Sequence, residues 1–123
     1  MLVQDSKLSH LRNLIVLARV DEKEDPRELS FIDEVIKREE LSESDYDFCK
    51  KNLESIADVV PQDYSERIEY LHDMIKLMML DGHIDQREMD LCIECADMMK
   101  IPARNSQELV DSMISLIRKE IEN

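Results

Sequence analysis

The stretch Leu80-Asp81-Gly82-His83-Ile84-Asp85-Gln86-Arg87-Glu88 stands between two apolar helical patterns, and its reading decides the fold. A counterpart lies 60 positions earlier, Val20-Asp21-Glu22-Lys23-Glu24-Asp25-Pro26-Arg27-Glu28. In register, Asp21 matches Asp81, Asp25 matches Asp85, Arg27 matches Arg87 and Glu28 matches Glu88. The flanks keep the same offset: Leu11 with Leu71, Ile15 with Ile75, Leu17 with Leu77, Glu34 with Glu94, Leu41 with Ile101. A fixed offset marks a duplicated unit, because each copy repeats the same buried positions. The sequence therefore predicts two tandem three-helix repeats, about residues 8–60 and 68–120, packed with pseudo-two-fold symmetry in one domain over 1–123.

The helices follow from periodicity and capping. Leu8, Leu11, Leu14, Ile15, Leu17 and Ala18 recur at helical spacing, predicting a first helix that ends near Val20 to Glu22. Asp25-Pro26-Arg27-Glu28 opens a second: Asp caps, Pro suits the first helical position, and an acid three after the cap completes a capping box. Leu29, Ile32, Val35 and Ile36 give its inward face. Ser42 with Asp45 opens a third, carrying Tyr46, Cys49, Leu53 and Ile56, with Val59-Val60-Pro61 as the break. Asp63 with Glu66, Asp85 with Glu88, and Asn105 with Glu108 repeat the cap logic for the remaining three. Leu109, Met113, Ile114, Ile117 and Ile121 should face inward on the last helix. Gly82, the only glycine, stands where a left-handed residue after a helix is wanted. The expected fold class is all-α, with about six helices.

Composition narrows the function. The net charge is −13 and the apolar share 43% over 123 residues, so the chain has a core and an acidic surface. Such a surface repels nucleic acid and anionic lipid heads and suits cations or a protein partner with a basic face. No apolar run reaches the length of a membrane span, so no direct membrane insertion is expected. The opening Met-Leu-Val-Gln-Asp has no secretory character, and three cysteines form no disulfide framework; a reducing cytoplasm fits.

The repeated acids carry the candidate chemistry. Asp25 with Glu28, and Asp85 with Glu88, are explained by capping alone. Asp21 and Asp81 are not, because each lies near a helix C-terminus, where the dipole disfavours an acid. Arg27 or Arg87, backbone N–H groups of the next helix, or a cation must compensate. An ordinary EF-hand is disfavoured, since its first two ligand positions would fall on Leu77 and Met79, which cannot bind Ca²⁺. A site shared between the halves is the alternative: Asp21, Asp25 and Glu28 approaching Asp81, Asp85 and Glu88, with His83 as an extra ligand. Carboxylates without clustered His or Cys suit Mg²⁺, Ca²⁺ or Mn²⁺.

The pattern Leu77-Met-Met-Leu-Asp81-Gly-His-Ile-Asp85-Gln-Arg-Glu88 resembles the signature of the TerB-like family, after the tellurite-resistance protein TerB. Related domains stand at the front of a membrane-anchored DnaJ-type co-chaperone. The likeness spans about Leu8 to Ile117. It implies an all-helical fold, acidic residues that bind metal, and stress-response complexes at the cytoplasmic membrane face, with no settled catalytic activity. The first copy departs from the pattern at Glu22 and Glu24. The expected function is a non-catalytic acidic module binding a divalent cation and a protein partner. The alternatives are a metal-dependent hydrolase using the acidic cluster and a purely structural protein–protein adaptor. Cys92-Ile-Glu-Cys95 and Cys49 read as core rather than zinc or thiol chemistry. The methionines read as core or an adaptable groove. No Ser or Cys is placed to make His10 or His72 part of a triad.

Overall fold

Asp25 and Asp85 each begin a helix in the same way, and the chain is organised by such caps into six helices. The computed structural model describes residues 3–20, 25–101 and 105–122. The helices are α1 (Val3–Arg19), α2 (Pro26–Arg38), α3 (Glu43–Lys51), α4 (Tyr64–Met79), α5 (Gln86–Met99) and α6 (Ser106–Glu122), and no strand occurs among the described residues. Asp25 holds an extended backbone (φ −104°, ψ 121°) while its carboxylate accepts the Arg27 N–H, and Pro26 takes the first helical position. Asp85 (φ −86°, ψ 141°) does the same with the Arg87 N–H. Ser42 and Asp45 form a full capping box. The Asp63 carboxylate accepts from Ser65 N–H and the Asn105 amide oxygen from Glu108 N–H, each satisfying a helix-start donor. Among the described residues, no helix is long and apolar enough to cross a membrane.

One contiguous core draws on all six helices, with Leu11, Leu14 and Leu17 from α1 and Leu71, Ile75 and Leu77 from α4 at its centre. α1 packs against α2 and α3, α4 packs against α5 and α6, and α1 meets α4 between them. The halves differ in one respect. α5 also packs along α6, whereas α2 and α3 make little or no contact with each other.

Several local features recur at the offset of 60. Lys7 Nζ donates to the Glu39 carbonyl at 3.0 Å, and Arg67 Nη1 to the Met99 carbonyl at 3.2 Å, so each hairpin ends on a cation from its own first helix. Glu40 (φ 57°) and Lys100 (φ 51°) take the left-handed conformation at matching positions without glycine. His10 and Tyr70, also matching, stack with ring centroids 3.8 Å apart and planes within 5°.

Three expectations are corrected. α3 stops at Lys51, so Leu53 and Ile56 reach the core from a turn rather than from the helix. The reason is Arg12, buried on α1, whose Nη1 takes the carbonyls of Leu53 at 3.0 Å and Ile56 at 2.7 Å while Nη2 pairs with Asp58. Ile121 is exposed rather than inward, and Leu29 is 41% exposed although it lies on the apolar stripe of α2.

Candidate metal centre

The turn after α4 is built around two residues. The Gly82 N–H donates to the Met79 carbonyl at 3.1 Å while Gly82 adopts φ +77°. That left-handed step lets the Asp81 carboxylate turn forward to accept the His83 N–H at 2.9 Å. This bond offsets part of the unfavourable placement of an acid beyond a helix C-terminus.

The rest of the compensation comes from the other half of the molecule. Asp25, Glu28 and Asp81 each offer a carboxylate oxygen, and these oxygens lie within 4.8 Å of one another. Oxygens that close can share one cation, and all three donors are the hard oxygens that Ca²⁺, Mg²⁺ and Mn²⁺ take. Glu28 is 4% exposed, so its carboxylate is held in place by packing. Arg27 is the cation already present. Its Nη2 lies 2.8 Å from Asp25 Oδ2 and its Nε 3.1 Å from Oδ1. Those hydrogen bonds, with that from the Arg27 N–H, hold the Asp25 carboxyl below the usual carboxylate range. The Arg27 guanidinium is raised in turn, first by its hydrogen bond to Asp25 and then by the charges of Asp25, Asp81 and Glu28.

Of the residues expected to converge, the structure brings together Asp25, Glu28 and Asp81. Asp85 and Glu88 stand outside that group. Asp85 caps α5, with Arg87 Nε at 3.1 Å from its Oδ1, and those contacts lower its pKa as Arg27 does for Asp25. Glu88 is 3% exposed. The His83 ring is outside the acidic group, and its contribution is the backbone N–H. Asp21 lies outside the described residues.

A second cluster escaped sequence reasoning. Asp73, on α4, is 3% exposed and binds partners from two other helices. His10 Nε2 on α1 lies 2.8 Å from its Oδ2. Arg38, the last residue of α2, donates through Nη1 to Oδ1 at 3.0 Å and through Nη2 to Oδ2 at 2.5 Å. Arg38 Nε reaches Glu69 at 2.9 Å. Burial pushes the Asp73 carboxyl upward, but the hydrogen bonds from His10 and Arg38 outweigh it and the net shift is downward. Tyr70 is pushed up by burial and by its hydrogen bond with Glu39. With both oxygens of Asp73 engaged, the group ties α1, α2 and α4 together as a clamp whose acid is buried and whose guanidinium is partly exposed. The one available signal was an acid among the apolar positions of α4.

The cysteines are free and buried, and burial pushes Cys49 and Cys95 up to about 11, far from reactive thiolates at neutral pH. Met74, Met78, Met79, Met99 and Met113 are buried, so they fill the core rather than line an open groove. Comparison with known proteins gives no match: no family model fits the chain, and no curated protein or solved structure matches it.

Proposed function

We propose that this protein is a non-catalytic acidic helical module of TerB-like type that holds one hard divalent cation on Asp25, Glu28 and Asp81 and meets a protein partner through a basic face. The observation that carries the reading is the convergence of Asp25 and Glu28, at the start of α2, with Asp81 in the turn after α4. Like charges do not gather at low cost, and Asp81 is disfavoured by its own helix as well. In the absence of metal, Arg27 neutralises part of the cluster; a cation of higher charge density would take its place.

The alternative of a metal-dependent hydrolase is less well supported. The pocket beside Asp25 and Glu28 is about 120 Å³ and walled by Ile15, Ala18, Leu29 and Ile32, small for a substrate. The three thiols are buried, and the acid of the His10–Asp73 pair is closed by a guanidinium. The likeness to the TerB family is what supports a stress-response setting, in the cytoplasm and at the inner membrane face through the partner. Calorimetric titration with Ca²⁺, Mg²⁺ and Mn²⁺ at moderate salt tests the cation. One site per chain, lost in Asp81→Asn, is expected. Heat-silent titrations with all three, and no change in melting, would refute it.

A further inference from the structure

We propose that residues 52–58, on the connection between α3 and α4, are a helix-to-strap switch held in the strap form by Arg12. Nothing in Lys51-Asn52-Leu53-Glu54-Ser55-Ile56-Ala57-Asp58 forbids helix: the segment holds no Gly or Pro, and Leu, Glu and Ala are good helix formers. Leu53 and Ile56 continue the apolar stripe of Tyr46 and Cys49 at helical spacing. Residues 112–118, at the same offset of 60, run as helix within α6. α3 nevertheless stops at Lys51. Where a distant contact overrules the local preference, a second conformation lies close by, and such conflicts gather at functional or strained sites.

The contacts that hold the strap take groups that a longer helix would use. The Arg12 guanidinium, buried on α1, takes the Leu53 carbonyl at 3.0 Å, which in a continued helix would accept the Ala57 N–H. It also takes the Ile56 carbonyl at 2.7 Å, and its Nη2 pairs with Asp58. Ser9 Oγ accepts the Val59 N–H at 3.0 Å. The break itself lies at Asn52 (φ −131°, ψ 34°). Its Nδ2 donates to the Phe48 carbonyl at 2.8 Å, the acceptor that its own N–H would use in a helix. Beyond the break, the Ile56 N–H already donates to the Asn52 carbonyl at 3.2 Å, the bond a helix makes. In the second form the helix runs on to about Asp58, and Val59-Val60-Pro61 ends it. Leu53 and Ile56 then stay on the stripe of Cys49, and Arg12 is released. The switch thus exchanges a folded strap for a longer helix on the connection between α3 and α4.

The test uses the full chain and reads the Cα chemical shifts of residues 52–58 together with far-UV circular dichroism. In the parent, Asn52 should lie off helical values. Arg12→Gln cannot grip two carbonyls and a carboxylate at once, and it should move Asn52 to Ala57 to helical values and add helical signal to the spectrum. Adding Ala57→Gly, a poor helix former at an exposed position, should undo the gain. Asp58→Asn changes only the exposed partner of Arg12 and should move the same shifts part of the way, which keeps the test readable if Arg12→Gln does not fold. Random-coil shifts at 52–58 in a folded Arg12→Gln chain would make Arg12 the tether of a plain loop and overturn the switch. Parent shifts kept in whichever of the two variants fold would show that Arg12 does not hold the strap, and would overturn it as well.

Discussion

Asp81→Asn separates a cation site from a turn that merely needs a polar side chain. In the structure Asp81 Oδ1 accepts one hydrogen bond, from the His83 N–H at 2.9 Å, and an Asn oxygen can accept the same bond. The variant loses the attraction of Arg27 but also the repulsion of Asp25 and Glu28, and these partly cancel. Without metal the change should stay within about 1 kcal/mol of the parent, in either direction. With metal the two proteins should part. A cation at a hundredfold excess over its Kd stabilises the parent by about 2.7 kcal/mol. Losing one of three carboxylates should weaken the site tenfold or more, removing about 1.4 kcal/mol or more of that gain. For a chain of this size that is roughly 4–6 °C in Tm. The assay is thermal melting by circular dichroism in chelator, then in millimolar Ca²⁺, Mg²⁺ and Mn²⁺. A parent that ignores all three cations, with an Asn variant that melts several degrees lower in chelator, would show Asp81 to be structural and end the metal reading.

Arg27→Gln should release Asp25 and raise cation affinity about three- to tenfold by calorimetry, as expected when a competing charge is removed; weaker binding would make Arg27 an organiser of the site instead. Gly82→Val should cost about 1–2 kcal/mol in urea unfolding. A Cβ at Gly82 would meet nothing within 4 Å, so left-handed strain is the whole cost; no loss of stability would refute that. Asp73→Asn should cost about 2–4 kcal/mol, since it removes charge-assisted bonds from His10 and Arg38 in a buried site. The Asp73 pKa is depressed in the folded state, so its contribution is present above about pH 4 and is lost as pH falls below that. The parent should therefore lose stability more steeply than Asp73→Asn on acidification, and parallel curves would refute the clamp.

Helix starts were legible because their causes are local. Asp25, Ser42, Asp63, Asp85 and Asn105 each cap a helix from a sequence position that names the cap. The end of α3 was not, because it depends on Arg12 reaching the Leu53 and Ile56 carbonyls from another helix. The acidic cluster was half legible. Repetition against helix preference singled out Asp81, but only tertiary packing decides that it meets Asp25 and Glu28 rather than Asp85 and Glu88. The Asp73 clamp left only a weak signal, an acid among apolar positions of α4, which is indistinguishable from a partly exposed acid until Arg38 and His10 are placed.

Positions 60 apart also differ between the two halves, and one difference bears on how α2 is held. Lys7 and Arg67, Glu40 and Lys100, and His10 and Tyr70 recur at one offset, as two copies of a unit would leave them. His10 on α1 and Tyr70 on α4 stack where those two helices meet. Against that background, Asp73 and its partner Arg38 correspond to Asn13 and Met98, which carry no charge. The pair of buried Asp73 with the partly exposed Arg38 thus has no charged counterpart at those matching positions, and it anchors the C-terminal end of α2. α2 needs that anchor because it lacks the lateral support that α6 gives α5. A helix held at its end but little supported along its side should open first where that hold is removed. We expect Arg38→Gln to lower the protection of α2 amides from hydrogen exchange about three- to tenfold, with α5 amides unchanged. α2 amides as protected as in the parent would show that the Asp73 contact does not hold the helix in place.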